Sequence, residues 1–255
     1  MFDTHVHLFN EKLINSFNLD TLLKQLENMH IKGIICICES EPEIDMFINF
    51  SQKYPFLYCS VGIHPHNAKD FDEKTLRFLV NKVLHSGKLV AIGETGLDFY
   101  YNLSQKEKQI DAFISHIKLA KELSLPIVVH SRNSISEVYK LLLEYKVSIG
   151  VMHCFSGDLE FAKKIIDLGL FIGLTGIITF KNYKNLDIVK NVPLEYIVIE
   201  TDTPYLTPEP YRGKLNTPLN LPLILNKVAQ IRNLESNYVE DILDMNAFKL
   251  FNLNY

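Results

Sequence analysis

The chain has 255 residues, 47% of them hydrophobic, with a formal net charge of −4 and an isoelectric point near 6.1. That length admits one barrel-sized domain or two small ones, and that apolar content builds a core without a disulfide or structural metal. The acidic balance argues against broad coating of nucleic acid, no apolar run reaches the ~18 residues of a membrane span, and the N-terminus lacks the layout of a secretory signal.

Cys36, Cys38, Cys59 and Cys154 show no C-x-x-C spacing and fall mostly in apolar runs, as reduced buried thiols do. A soluble, cytoplasmic protein is expected. Phe2 to His7 is the first predicted strand, and Leu19, Leu22, Leu23, Leu26 and Met29 then recur at helical spacing. Ile34 to Cys38 is a continuous apolar run, suited to a strand covered on both faces. Ser40 and Glu43 have the spacing of a capping box ahead of a helix with Ile44, Phe47 and Ile48. Phe56 to Val61 is the third strand, closing on Gly62-Ile-His-Pro-His66. A helix with Leu76, Leu79, Val80 and Val83 follows, stopped by Gly87.

Leu89 to Ile92 is the fourth strand, ending in Gly93-Glu-Thr-Gly-Leu-Asp98. The next helix shows Ile110, Phe113, Ile114 and Ile117 on one stripe. Pro126-Ile-Val-Val-His-Ser-Arg132 is the fifth strand and its exit, and Ser134 with Glu137 is placed to cap another helix. Ile149 to Met152, Leu170 to Leu174 and Tyr196 to Ile199 are the sixth, seventh and eighth strands, with Asp158 capping a helix that Gly169 ends. Helical patterns over residues 221–231 and 238–251 finish the chain. Eight strands alternating with helices over this length predict an α/β (β/α)8 TIM barrel with C-terminal helices, one domain over 1–255. The rival open doubly wound sheet would usually carry a Gly-rich phosphate loop after an early strand, and none is present.

The polar residues at the strand exits carry the chemistry. His5 and His7 are two apart on an extended strand, so they point the same way, with Cα atoms about 6–7 Å apart at ~3.3 Å per residue. Glu94 follows strand four, His130 strand five, His153 strand six and Asp202 strand eight. In a barrel these exits ring one mouth, where catalytic groups of this fold gather. Singly, a histidine beside an apolar run is an ordinary core residue, and a lone glutamate after a strand an ordinary cap. Together, six such groups at one rim would be costly to bury without the compensation that metal coordination gives. Imidazoles with carboxylates suit Zn²⁺, Mn²⁺ or Mg²⁺-like divalent cations better than Ca²⁺. Two ions need a bidentate bridge, and Glu94 lies midway round the rim. Asp202 is the rim carboxylate on the last strand, next to the first.

The signatures Asp3-Thr-His-Val-His-Leu8, Gly62-Ile-His-Pro-His66, Gly93-Glu-Thr-Gly-Leu-Asp98, Val129-His-Ser-Arg132, Met152-His-Cys-Phe-Ser-Gly157 and Glu200-Thr-Asp-Thr-Pro-Tyr-Leu206 run end to end. With Arg212-Gly213 and Asn246 to Phe251, the chain closely resembles the TatD family of metal-dependent deoxyribonucleases, a branch of the amidohydrolase-like barrels. The resemblance implies two divalent cations: His5, His7, Glu94 and Asp202 around one, Glu94, His130 and His153 around the other. It implies that Asp202 takes a proton from the attacking water and that His64 contacts a phosphate oxygen or the leaving group. The implied substrate is DNA, single-stranded or frayed at an end, met by a monomer away from any membrane.

Arg132 offers a planar fork to a phosphate, or pairs with a rim carboxylate. Glu200, sharing a face with Asp202 on a regular strand, supports the ligands from behind or is a structural hydrogen-bonder. Arg212 is suited to lock the last long loop. Tyr100, Tyr101 and Tyr205 offer stacking platforms, though core or loop packing is the simpler assignment. His30, His85 and His116 fall on predicted helices and receive no role. Phe9 stands where the family often has a polar residue, and Leu219 to Arg232 is the least family-like stretch. Two other functions fit the same mouth: hydrolysis of an aminoacyl-tRNA ester, lactone or cyclic amide, and a non-catalytic metal-holding scaffold. A glutamate at strand four, where many amidohydrolases have a modified lysine, favours the nuclease.

Overall fold

A computed structural model describes residues 1–254. Eight strands pair in parallel, in chain order: β1 (Phe2–Val6), β2 (Gly33–Cys38), β3 (Leu57–Val61), β4 (Leu89–Asp98), β5 (Ile127–Arg132), β6 (Gly150–Met152), β7 (Phe171–Leu174) and β8 (Ile197–Ile199). The last meets the first through a bridge between Val6 and Thr203. There the His7 N–H donates to the Thr203 carbonyl (2.8 Å) and the Asp202 N–H to the His5 carbonyl (3.0 Å). Asp3 adds to this seam: one carboxylate oxygen accepts the Thr201 N–H at 2.9 Å, the other the Thr201 hydroxyl at 2.7 Å. The result is the expected (β/α)8 barrel, nearly closed.

The helices are α1 (Glu11–Ile14), α2 (Leu19–Asn28), α3 (Glu41–Lys53), α4 (Glu73–Leu84), α5 (Lys106–Leu123), α6 (Ile135–Glu144), α7 (Leu159–Asp167), α8 (Leu186–Asn191), α9 (Leu221–Arg232) and α10 (Ser236–Leu250). Asn18, Asp72 and Asp158 cap α2, α4 and α7, each accepting a backbone N–H of the first turn. Neither predicted serine cap forms. Glu43 takes the Glu39 N–H and the Ser40 hydroxyl, rather than the Ser40 N–H of a capping box, while the Ser134 hydroxyl turns away to the Leu97 carbonyl. Among the described residues no helix is long and apolar enough to cross a membrane.

Two apolar layers follow from strands covered on both faces. Outward residues such as Ile34, Cys36, Leu57 and Val129 pack under the helices. Phe2, Ile35, Val90, Val128, Val151, Phe171 and Val198 form a separate cluster, with Tyr58 of β3 against it, and fill the barrel. The C-terminal helix plugs the lower end. Phe248 meets the Phe2 ring edge-on at 5.3 Å, and Phe251 stacks on it at 6.1 Å. Burying each such ring is worth about 1.5–3 kcal/mol.

Two irregularities position the upper end. β1 has one extra residue against β2 between Asp3 and Val6, and β4 has one against β5 between Ile92 and Thr95. Such bulges re-aim side chains, and these fall at His5 and at Glu94. β4 also runs on to Asp98 rather than stopping at Ile92. Gly93 (φ 130°) and Gly96 (φ 143°) permit this, since a Cβ at either would overlap the carbonyl of Val128 or His130 on the neighbouring strand.

Candidate metal centre

The bulged start of the chain brings His5 and His7 together, with ring nitrogens Nε2 3.3 Å apart. Glu94 Oε2 lies 3.1 Å from the His5 Nε2 and 3.5 Å from that of His7. Asp202 completes this side, its Oδ1 3.5 Å from His7 and 3.8 Å from His5. It stands in the left-handed region (φ 54°), which aspartate tolerates, and its backbone bond to His5 keeps it there.

The other oxygen of Glu94 faces the far side. Oε1 lies 2.8 Å from His130 Nδ1, 3.6 Å from His64 Nε2 and 3.8 Å from His153 Nε2. All six sequence-derived ligands therefore converge, with Glu94 between two groups of imidazoles. The grouping differs in detail from the resemblance. His153 stacks on His5 (ring centroids 3.5 Å) and sits equally near Asp202, at 3.8 Å, while His64 joins Glu94 and His130. Glu200 explains the pose of His153, reaching its Nδ1 at 2.8 Å in an ion-pair contact whose angle falls short of a hydrogen bond. Glu200 also accepts the Cys154 N–H (2.6 Å) and the Thr4 hydroxyl (3.2 Å), so its support from behind the ligands is direct.

His64 is fixed differently. Its Nδ1 accepts the His66 N–H at 3.2 Å, so a neutral ring carries its proton on Nε2, the nitrogen aimed at the centre. That tautomer donates rather than ligates.

The electrostatics are those of a crowded, buried cluster. Burial alone would raise Glu94, yet the imidazoles of His5, His153 and His64 and the His130 bond hold it well below the usual carboxylate range. Asp202 is lowered likewise: burial opposes its charge, but the His7 bond and nearby imidazoles prevail. Burial depresses His7 and His153, but Asp202 and Glu94 lift the former to about 9, and Glu200 with Glu94 the latter to about 10. His64, with burial dominant, falls to about 3. Two ionised carboxylates and a set of converging nitrogens fit a divalent cation by charge and donor type. The His5 Nδ1 is buried without a hydrogen-bond partner.

Asp98 belongs to this site and was not singled out from sequence. Its Oδ2 lies 2.8 Å from His66 Nε2 and 3.3 Å from His130 Nε2, so one carboxylate orients two rings. Its own backbone N–H donates to Gln109 Oε1 at 2.7 Å, and its Oδ1 accepts the N–H groups of Tyr100 and Tyr101. Burial would raise this carboxyl, but the His130 bond and those amides hold it far below its ordinary value. A carboxylate behind a ligating imidazole is worth about 10–100-fold in metal affinity. Asp98→Asn is expected to weaken metal binding by that factor in a competition titration against a chromophoric chelator. An unchanged affinity would remove Asp98 from the site.

Around the rim, Arg132 pairs with no carboxylate within 4 Å among the described residues. Its guanidinium packs 4.3 Å from the Tyr100 ring centre and 4.4 Å from that of Tyr101. Tyr100, Tyr101 and Tyr205 are exposed, contrary to a place in the core, and pack on neighbouring loop side chains. Arg212 covers the Phe180 ring at 3.7 Å and so ties the β8 loop to the β7 loop. His116, without a role on sequence grounds, is buried on α5: Nδ1 bonds to the Ala112 carbonyl (2.7 Å) and Nε2 accepts the Ile63 N–H (2.9 Å). It thus anchors the turn that delivers His64.

Comparison with known proteins agrees with this geometry. The family described as "TatD related DNase" matches residues 2–252. An uncharacterized metal-dependent hydrolase, YabD, of Bacillus subtilis is 34% identical over the full length of both chains. A protein of Erwinia tasmaniensis named 3'-5' ssDNA/RNA exonuclease TatD is 30% identical, covering 99% of this chain and 100% of its own. The crystal structure of the TatD homologue YJJV from Escherichia coli superposes with a TM-score of 0.91 at 26% identity, covering 100% of this chain and 98% of that one. With the same fold, a donor set suited to divalent ions and a match over nearly every residue, the chain belongs to the TatD family of metal-dependent hydrolases.

Proposed function

We propose that this protein is a two-metal-ion phosphodiester hydrolase that trims DNA from an end. The observation that carries the reading is the division of Glu94, one oxygen toward His5 and His7 and the other toward His130. In this reading His5, His7, Glu94 and Asp202 would hold one cation, and Glu94, His130 and His153 would hold the second. Bound divalent ions supply an acidified water and offset the charge of the phosphate.

The remaining work falls to side chains. Asp202, ionised and at the mouth, takes the proton of the attacking water, a role suited to a carboxylate within hydrogen-bond reach. His64, neutral with its proton on Nε2, donates that N–H to a phosphate oxygen. Glu200 holds His153 and Asp98 holds His130, so neither ring must reorient during the reaction. The Erwinia relative's name supports an end-directed reaction on single strands.

The test is direct. Labelled single-stranded DNA is incubated with purified protein and Mn²⁺ or Mg²⁺, with and without chelator. Release of mononucleotides that chelator blocks is the expected result. Intact DNA alongside turnover of a lactone or aminoacyl ester would overturn the proposal in favour of another hydrolytic reaction.

A further inference from the structure

We infer that the mouth carries two cation–aromatic platforms, on opposite sides of the centre, which stack the bases flanking the phosphate of a single nucleic-acid strand. The inference rests on the phosphodiesterase reading above and assigns its substrate contacts. In a ring of eight strands, the seam between β8 and β1 lies diametrically opposite the β4–β5 pair. Tyr205 follows β8, and Tyr100 and Tyr101 follow β4, with Arg132 ending β5 beside them.

Each platform touches the centre through a histidine. The Tyr205 ring meets His7 edge-on at 5.9 Å, and the Tyr101 ring meets His66 at 5.5 Å, His66 in turn lying 4.2 Å from His64. The line from one platform to the other therefore crosses His7, Glu94 and His64 or His130. That is also the axis along which Glu94 divides its two oxygens.

The chemistry of the platforms is specific. Tyr100, Tyr101 and Tyr205 are 57%, 51% and 42% exposed, so the rings are not consumed by packing. Each carries a cation: Arg132 over Tyr100 and Tyr101, and Lys12 5.4 Å from the Tyr205 ring centre. Asn10 further steadies Tyr205, donating to its hydroxyl at 3.3 Å. A ring face beside a positive charge suits a base joined to a phosphate, and an arginine plane extends the stack. Bases paired inside a duplex cannot stack this way. An acidic protein thus gains local affinity for an anionic strand without a broad basic surface.

The experiment measures binding rather than turnover. Metal-loaded protein is titrated by fluorescence anisotropy with a nuclease-resistant phosphorothioate oligothymidine, a strand of equal charge that lacks bases, and a duplex of the same length. The base-bearing single strand is expected to bind about tenfold or more tightly than the other two, from stacking worth about 1–3 kcal/mol per base. Tyr100→Ala with Tyr101→Ala, or Tyr205→Ala, should reduce its affinity toward the baseless level, and Tyr205→Phe should keep it. Equal binding of the unaltered protein to base-bearing and baseless strands would overturn the platforms, as would wild-type affinity in both alanine variants. Base-dependent binding by a protein that leaves unmodified single-stranded DNA intact in Mn²⁺ would support the platforms while counting against the reaction proposed above.

Discussion

Glu94→Ala is expected to leave the protein folded but unable to hold metal at either group, with turnover lost by about a thousandfold or more. The size follows from Lewis-acid stabilisation of several kcal/mol, at about 1.4 kcal/mol per factor of ten. Glu94 touches both groups of imidazoles, so its removal takes an oxygen from each rather than from one. It also removes a charge that holds His7 and His153 above their ordinary range. Metal content by plasma mass spectrometry, turnover of labelled DNA and circular dichroism check the three parts. The isosteric Glu94→Gln separates loss of charge from loss of packing. A variant that keeps its metal and its activity would dismantle the bridging assignment.

Asp202→Asn is the second large effect, and it should divide the two roles of that carboxylate. His5, His7 and Glu94 remain in place, so part of the metal is retained. Proton acceptance is lost, and kcat should fall about 10²–10⁴-fold, the range of general base catalysis. KM should change far less, since the rings and the arginine at the rim are untouched. Asparagine keeps the shape and tolerates the left-handed backbone at this position. Wild-type kcat in this variant would hand the proton to another group.

Much of this site is legible in the sequence because strand alternation and barrel topology are strong constraints. Two histidines spaced by one residue on an extended segment share a face, and residues after parallel strands share a rim. Those two rules place His5, His7, His130, His153 and Asp202 near one another before any coordinates. Asp98 escapes because the run from Gly93 to Asp98 looks like a loop, with two glycines and a threonine. It is strand, and the same alternation that pairs His5 with His7 puts Glu94 and Asp98 on one face, so the signal was present.

His116 had no such signal. A periodicity count follows apolar residues, and it favours Ile110 and Ile114 on α5. Phe113 and Ile117 of the predicted stripe are buried and Ile110 and Ile114 half-buried, but the helix also buries Gln109, Ala112 and His116. Gln109 and His116 are drawn inward by backbone groups of β4 and the Ile63 turn that would otherwise lack partners. Polar residues that satisfy buried backbone are invisible to a pattern written in hydrophobicity. Ser134 likewise turns to a partner distant in sequence: its hydroxyl donates to the Leu97 carbonyl and accepts no N–H of the first turn.

The β8–β1 seam couples the first residues of the chain to its final third through the Asp3 contacts with Thr201, the Thr4 hydroxyl's bonds to the Ile199 carbonyl and Glu200, and the backbone pairs at His5 and His7. A cation shared by His5, His7 and Asp202 would rivet that junction from above, closing a loop of nearly two hundred residues. Ligation would then be a fastening of the whole cylinder as well as the chemistry at its top, because an ion bound only by the folded form adds its binding energy to the cost of opening it.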